Sequence, residues 1–167
     1  LDLPTVNLAL KRLHSPLAGV FAVTVSGAGL VDQAGAANMA DAYGKLTGKP
    51  GLCFVTRGPG ACHASVGVHT AFQDSTPMIL FVGQVGRDMR DREAFQEIEY
   101  RSFFDDIAKW VVEIESPDDI PAAVERAFLI ASSDRPGPVV VSLPEDMLRA
   151  VTAARSGPMV RVAERVT

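Results

Sequence analysis

The amino-acid sequence predicts an α/β fold built on parallel strands, and three stretches carry that prediction. Residues 51–84 read as strand, turn, helix and strand in succession: a buried run at 52–55, a turn at 56–60, a helix at 61–73 and a second buried run at 78–82. A helix over 30–47 precedes this unit, and an amphipathic helix leading into a buried strand at 139–143 follows it. Strands that alternate with helices in this way form parallel crossover units.

In chain order, a short helix is expected around residues 6–13 and a β-rich run at 19–25, followed by the loop Ser26-Gly27-Ala28-Gly29. The next helix, over 30–47, has Ala36, Met39, Ala40, Tyr43 and Leu46 at helical spacing, with Gly48 as its stop and Pro50 beyond. The central helix presents Ala61, Ala64, Val68, Ala71 and Phe72, a mostly small-residue face suited to close packing. A charge-dense segment, 86–101, follows the second strand and carries Phe95 and Tyr100, with Phe103 and Phe104 just after it. Mixed charge with aromatic anchors fits a protein interface, and equally fits aromatics folded back onto the domain's own core. Residues 109–114 read as a strand. Ser116 then caps a helix with Pro117 at its first position, and Ile120, Val124, Ala127, Phe128 and Ala131 mark its buried face. Asp134-Arg135-Pro136-Gly137 turns into the last strand. Residues 1–148 read as one domain and 149–167 as a linker or tail.

With 167 residues, 47% of them hydrophobic and 22% charged, the chain has the size and balance of one soluble domain with a full core. A net charge of -4 without a basic cluster argues against a nucleic-acid surface, whose phosphate contacts need grouped Lys and Arg. Cys53 and Cys62 form no CxxC pair, and His63 and His69 are spaced so that they face different sides of a helix. No metal site on protein ligands is expected, and a reduced, cytoplasmic setting fits. Lys11-Arg12 before an uncharged stretch resembles a signal peptide, but the apolar run is short and broken by glycine, so no membrane segment is expected.

Ligands of a parallel sheet gather at the carboxyl ends of its strands, which makes the turn at 56–60 the first place to seek a site. Gly58 and Gly60 allow close backbone approach, Pro59 stiffens the turn, and free amides at a helix start favour a polar or anionic partner. A plain connecting turn explains the same residues. A dinucleotide fingerprint is excluded, because His63 stands where a third glycine is needed and Gln84 where an acid is needed. A P-loop lacks its Gly-Lys-Ser/Thr. Gln33 falls on the apolar stripe of its helix, where a buried amide needs partners, or else sits at a frayed, solvated start.

Four stretches carry a family resemblance: MADAYGKLTGKPG (39–51), FVTRGPGACHASVGVHTAFQDSTPMILFVGQV (54–85), DREAFQEIEYR (91–101) and RPGPVVVSLPEDML (135–148). In this order they resemble the amino-terminal pyrimidine-binding domain of thiamine diphosphate enzymes of the acetolactate synthase type. The resemblance implies a parallel sheet with helices on both faces and a thiamine diphosphate site shared between two subunits of a homodimer or tetramer. It also implies a 2-keto acid substrate such as pyruvate, in transferase or lyase chemistry, with Mg²⁺ and the diphosphate held by a separate domain.

In that family a glutamate bonds the aminopyrimidine ring and promotes its imino form; its position here is Gln33. The pyrimidine-side turn falls on Gly58, Pro59 and Gly60, the family's usual Asn on His63, and the Phe-Gln pair near the reacting centre on Phe95 and Gln96. Gln33 can hydrogen-bond the ring but has no proton to exchange. His63 is larger than Asn and can titrate. The stretch VFAVTVSGAGLVDQ also departs from the family's VFGVPG-like start, and no GDG motif with a downstream Asn is present. The implied function is one domain of a carboligase or decarboxylase. The alternative is a non-catalytic paralogue that keeps a dimerisation or interaction surface.

Overall fold

The computed structural model describes the backbone of residues 22–24 and all of residues 32–154. The helix expected at 6–13 lies outside the described residues, as does all of the tail beyond 154. Five described strands form one sheet: β1 (Ala22–Thr24), β2 (Gly51–Val55), β3 (Met78–Gln84), β4 (Trp110–Glu113) and β5 (Pro138–Pro144). Their order is β1-β2-β3-β5-β4 and every pairing is parallel. Between them run α1 (Gln33–Thr47), α2 (Gly58–Gln73), α3 (Tyr100–Phe104) and α4 (Ile120–Ser132), and α5 (Glu145–Arg149) follows β5.

β3 lies at the centre, and all seven of its residues are buried. A strand covered on both faces reads as an unbroken apolar run, which is why MILFV was recognisable. Its alternate residues feed two cores. Met78, Leu80 and Val82 join α1, α2, Tyr100 and Phe104 on one face, while Ile79 and Phe81 join Ala127, Ala131 and Met147 on the other. The crossovers β1-α1-β2 and β2-α2-β3 step one way along the sheet. The step from β4 to β5 goes back, so a right-handed crossover places α4 on the opposite face. Helices on both faces follow.

Several expected details are corrected. α1 begins at Gln33, not residue 30, because the Asp32 carboxylate accepts the Gly35 N–H at 2.5 Å and sets the first turn. Its buried face is Ala36, Ala37, Ala40 and Gly44, whereas Met39 and Leu46 are exposed. Close packing decides this: a methyl added at Gly67 of α2 would stand 2.6 Å from Ala37 Cβ, so only small residues fit between the two helices. α2 begins at Gly58, not residue 61, since Pro59 in its first turn needs no amide partner and its ring favours the helical φ.

The Ser116 hydroxyl accepts the Asp118 N–H at 3.3 Å, as expected of a cap, but the first turn, Pro117–Asp119, is 3₁₀ and α4 starts only at Ile120. Ala127 and Ala131 are fully buried, and Ile120, Val124 and Phe128 pack beside them. The aromatics of the charged segment divide. Tyr100 and Phe104 are core, whereas Phe95 is 81% exposed.

Candidate site at the carboxyl edge of the sheet

The first two turns of α2 make the contacts that assemble the site. Gly58 donates its N–H to the Gln96 carbonyl at 3.0 Å. A Cβ at Gly58 would lie 2.8 Å from that oxygen and 3.2 Å from the Ile98 side chain, so the close approach requires glycine rather than any left-handed φ. Just over one turn further on, His63 Nδ1 lies 3.1 Å from Gln33 Oε1, joining α2 to the first residue of α1. Gln33 is half-buried and sits in a capped turn, not a frayed end. Gly60 is buried, while Pro59 and His63 are exposed. Phe95 projects outward beside Gln96, which is half-buried at φ 69°.

The opposite side of this edge is held by ion pairs. Arg57, the residue that precedes α2, pairs with Glu145 at the start of α5, and Arg87 Nε meets Asp146 Oδ2 at 2.7 Å. Burial works against the Asp146 charge, but its hydrogen bonds to Arg87 outweigh it and hold the carboxyl below the usual range. Tyr100 donates its hydroxyl to the Gly83 carbonyl at 2.9 Å, and burial raises that phenol's pKa further above its usual value.

Four functional candidates were hidden in the sequence: Gln84, Arg90, Glu97 and Glu113. Arg90 reaches Glu97 at 3.1 Å and Glu99 at 3.0 Å and also pairs with Glu113. Gln84, at the end of β3, donates to the Ile98 carbonyl at 2.8 Å and to Glu113 at 3.3 Å. Arg90 finds Glu97 and Glu99 within the charged segment but Glu113 on another strand, so no spacing within 86–101 points to the cluster.

No group of three or more His, Cys, Asp or Glu among the described residues could hold a metal ion. None of the described helices is long and apolar enough to cross a membrane. The Gln33–His63 pair offers a hydrogen-bonding edge. The Gln33 amide and the His63 ring supply both donors and acceptors, as the nitrogen-rich edge of a heteroaromatic ring requires, but no carboxylate stands among them.

A parallel α/β sheet with polar residues gathered at its carboxyl edge is the arrangement in which domains of this class hold their ligands. The chain belongs to the thiamine pyrophosphate enzyme family, as its N-terminal TPP-binding domain, whose family model matches residues 18–103. It is 43% identical over 114 residues to the acetolactate synthase large subunit of Buchnera aphidicola from Acyrthosiphon pisum, an alignment covering 68% of this chain and 20% of that protein. To the mitochondrial acetolactate synthase catalytic subunit of Saccharomyces cerevisiae it is 41% identical over 117 residues, 70% of this chain and 17% of that one. The corresponding large subunit of Parasynechococcus marenigrum is 46% identical over 118 residues, 70% of this chain and 19% of that protein. These matches thus span about a fifth of each relative.

An X-ray structure from Mycobacterium smegmatis, of a protein described as a thiamin diphosphate-dependent enzyme, superposes with a TM-score of 0.78. It covers 97% of this chain and 33% of that one at 24% identity, a likeness of fold.

Proposed function

We propose that this domain holds the aminopyrimidine ring of thiamine diphosphate in an acetolactate synthase-like enzyme that carboligates or decarboxylates 2-keto acids such as pyruvate. The observation that carries the reading is that the start of α2 touches both other candidate segments, Gln33 through His63 and Gln96 through Gly58. When bound, thiamine diphosphate supplies the nucleophilic carbon and the electron sink for such a reaction.

The residues of this chain bind and orient. With its proton on Nδ1, His63 donates to Gln33 Oε1 and leaves the Gln33 amide N–H groups to donate to a ring nitrogen. Gln33 moves no proton, because an amide does not ionise. Phe95, next to Gln96 in the chain, offers an exposed apolar ring. Mg²⁺ and the diphosphate fall to a separate domain, a second copy of the chain completes the site, and a reducing cytoplasm suits the two free thiols. The amide at position 33 also favours a second reading, an interaction domain without chemistry of its own.

Titrating the assembled enzyme, in which the diphosphate-binding domain is present, with thiamine diphosphate and Mg²⁺ under NMR tests the binding role. Shifts of the Gln33 side-chain amide and the His63 ring are expected, and unmoved signals at millimolar ligand would count against it. Gln33→Glu in the assembled enzyme separates the two readings. A rise in pyruvate turnover supports the enzyme, and no change supports the interaction domain.

A further inference from the structure

The loop between β3 and α3 contains three non-glycine residues at positive φ: Asp91 at 61°, Glu93 at 53° and Gln96 at 69°. L-residues hold such angles only where the surroundings impose them. Here the Glu97 carboxylate does so. Its Oε1 accepts the Asp91 N–H at 2.8 Å and Arg90 Nε at 3.1 Å, and its Oε2 accepts the Ala94 N–H at 3.1 Å. The loop is thereby closed on itself around Phe95 and Gln96.

Arg90 connects this closed loop to the rigid sheet. Its guanidinium, 17% exposed, pairs with Glu113 at the end of β4 and with Glu99, the cap of α3. The other oxygen of Glu113 accepts Ser142 Oγ from β5 at 3.0 Å and Gln84 Nε2 from β3 at 3.3 Å. Three strands therefore fix Glu113, Glu113 fixes Arg90, and Arg90 fixes Glu97. Only a guanidinium has enough donors in one plane to engage three carboxylates at once; an ammonium is a point charge on a flexible stem. The far side of the tip is fixed separately by the Gly58 N–H on the Gln96 carbonyl.

We propose that Arg90, acting through Glu97, is a positioning residue that sets how the Phe95–Gln96 tip is presented to the cofactor ring. This rests on the reading that the tip faces thiamine diphosphate. The Arg90 cluster converges on the short loop that carries both family-matched residues.

The test compares the full chain with Arg90→Lys and Glu97→Gln, each close in size to the residue it replaces. Amide hydrogen exchange is read at Asp91, Ala94, Glu97 and Gly58 against the strand amides of β3 and β5, and thiamine diphosphate with Mg²⁺ is titrated into the assembled enzyme carrying the same substitutions. In both variants the four tip amides are expected to exchange about tenfold faster or more, with strand protection unchanged, as for a local opening. Affinity for thiamine diphosphate is expected to fall by about threefold or more.

Unchanged tip exchange, or acceleration shared by the strands, would overturn the proposal. So would a loosened tip with unaltered affinity. If the unsubstituted assembled enzyme, with its diphosphate-binding domain present, shows no response to thiamine diphosphate, the functional reading itself fails and the positioning role fails with it, whatever the exchange pattern.

Discussion

His63 Nδ1 and Gln33 Oε1 lie 3.1 Å apart, joining the second turn of α2 to the first residue of α1. The pair fixes which way the Gln33 amide faces, and it does so at an exposed position where little stability is at stake. His63→Ala should therefore change unfolding free energy by less than about 0.5 kcal/mol. Affinity for thiamine diphosphate should nevertheless drop severalfold, because the freed amide must be ordered on binding. Urea denaturation and ligand titration of the same variant check the two halves; a large stability loss would mean that the pair is structural.

Two glycines make contrasting demands. At Gly67 an added methyl would meet Ala37 Cβ at 2.6 Å and the Ala37 carbonyl carbon at 2.7 Å, both on a rigid helix. Gly67→Ala should lose about 2–3 kcal/mol from overpacking, more than the roughly 1 kcal/mol that helix propensity returns. Gly58→Ala presses on the Gln96 carbonyl, which belongs to a loop, and should cost about 1 kcal/mol. Its main effect should fall on the tip. Thermal unfolding ranks the two, and equal losses would show that the loop is as stiff as the helix pair.

The contrast between α1 and β3 shows what a sequence can reveal here. β3 is covered on both faces, so its apolar run had one interpretation. In α1 the predicted face was right at Ala36 and Ala40, which are buried. The size of Met39 and Leu46 nevertheless drew it toward them and away from Ala37, which is buried because α2 approaches too closely for anything larger. At the site, Gly58, Pro59, Gly60 and Gln96 stood out through their motifs. Arg90, Glu97 and Glu113 did not, since their meaning lies in a contact between a loop and a distant strand. A charge run looks the same whether water solvates it or an arginine anchored to the sheet pairs with it.

The two cysteines should react at very different rates. Cys53 is buried in β2, and burial pushes its thiol pKa up to about 12, so almost no thiolate exists at pH 8. Cys62 is exposed on α2. One thiol should be labelled within minutes by a chromogenic disulfide reagent and the second only on addition of denaturant. Rapid labelling of both in the folded protein would mean that β2 opens locally.

Acid stability should turn on the clasp around residues 90–97. The Glu97 carboxyl lies below the usual range, first because of the Asp91 N–H, with burial opposing and the Ala94 N–H and Arg90 adding to the effect. Asp146 is lowered too, by Arg87 against burial. A carboxylate whose folded pKa is depressed binds its proton first in the unfolded chain, so its contribution is complete above the unfolded value of about 4 and disappears as pH falls through the folded one. The urea midpoint should thus hold steady from neutral pH to about 5 and decline below it. Glu97→Gln removes one of the two groups, and it should flatten that decline while lowering the plateau at neutral pH. A variant curve parallel to that of the unsubstituted chain would show that Glu97 titrates alike in both states, and that the three donors around it do not hold its charge.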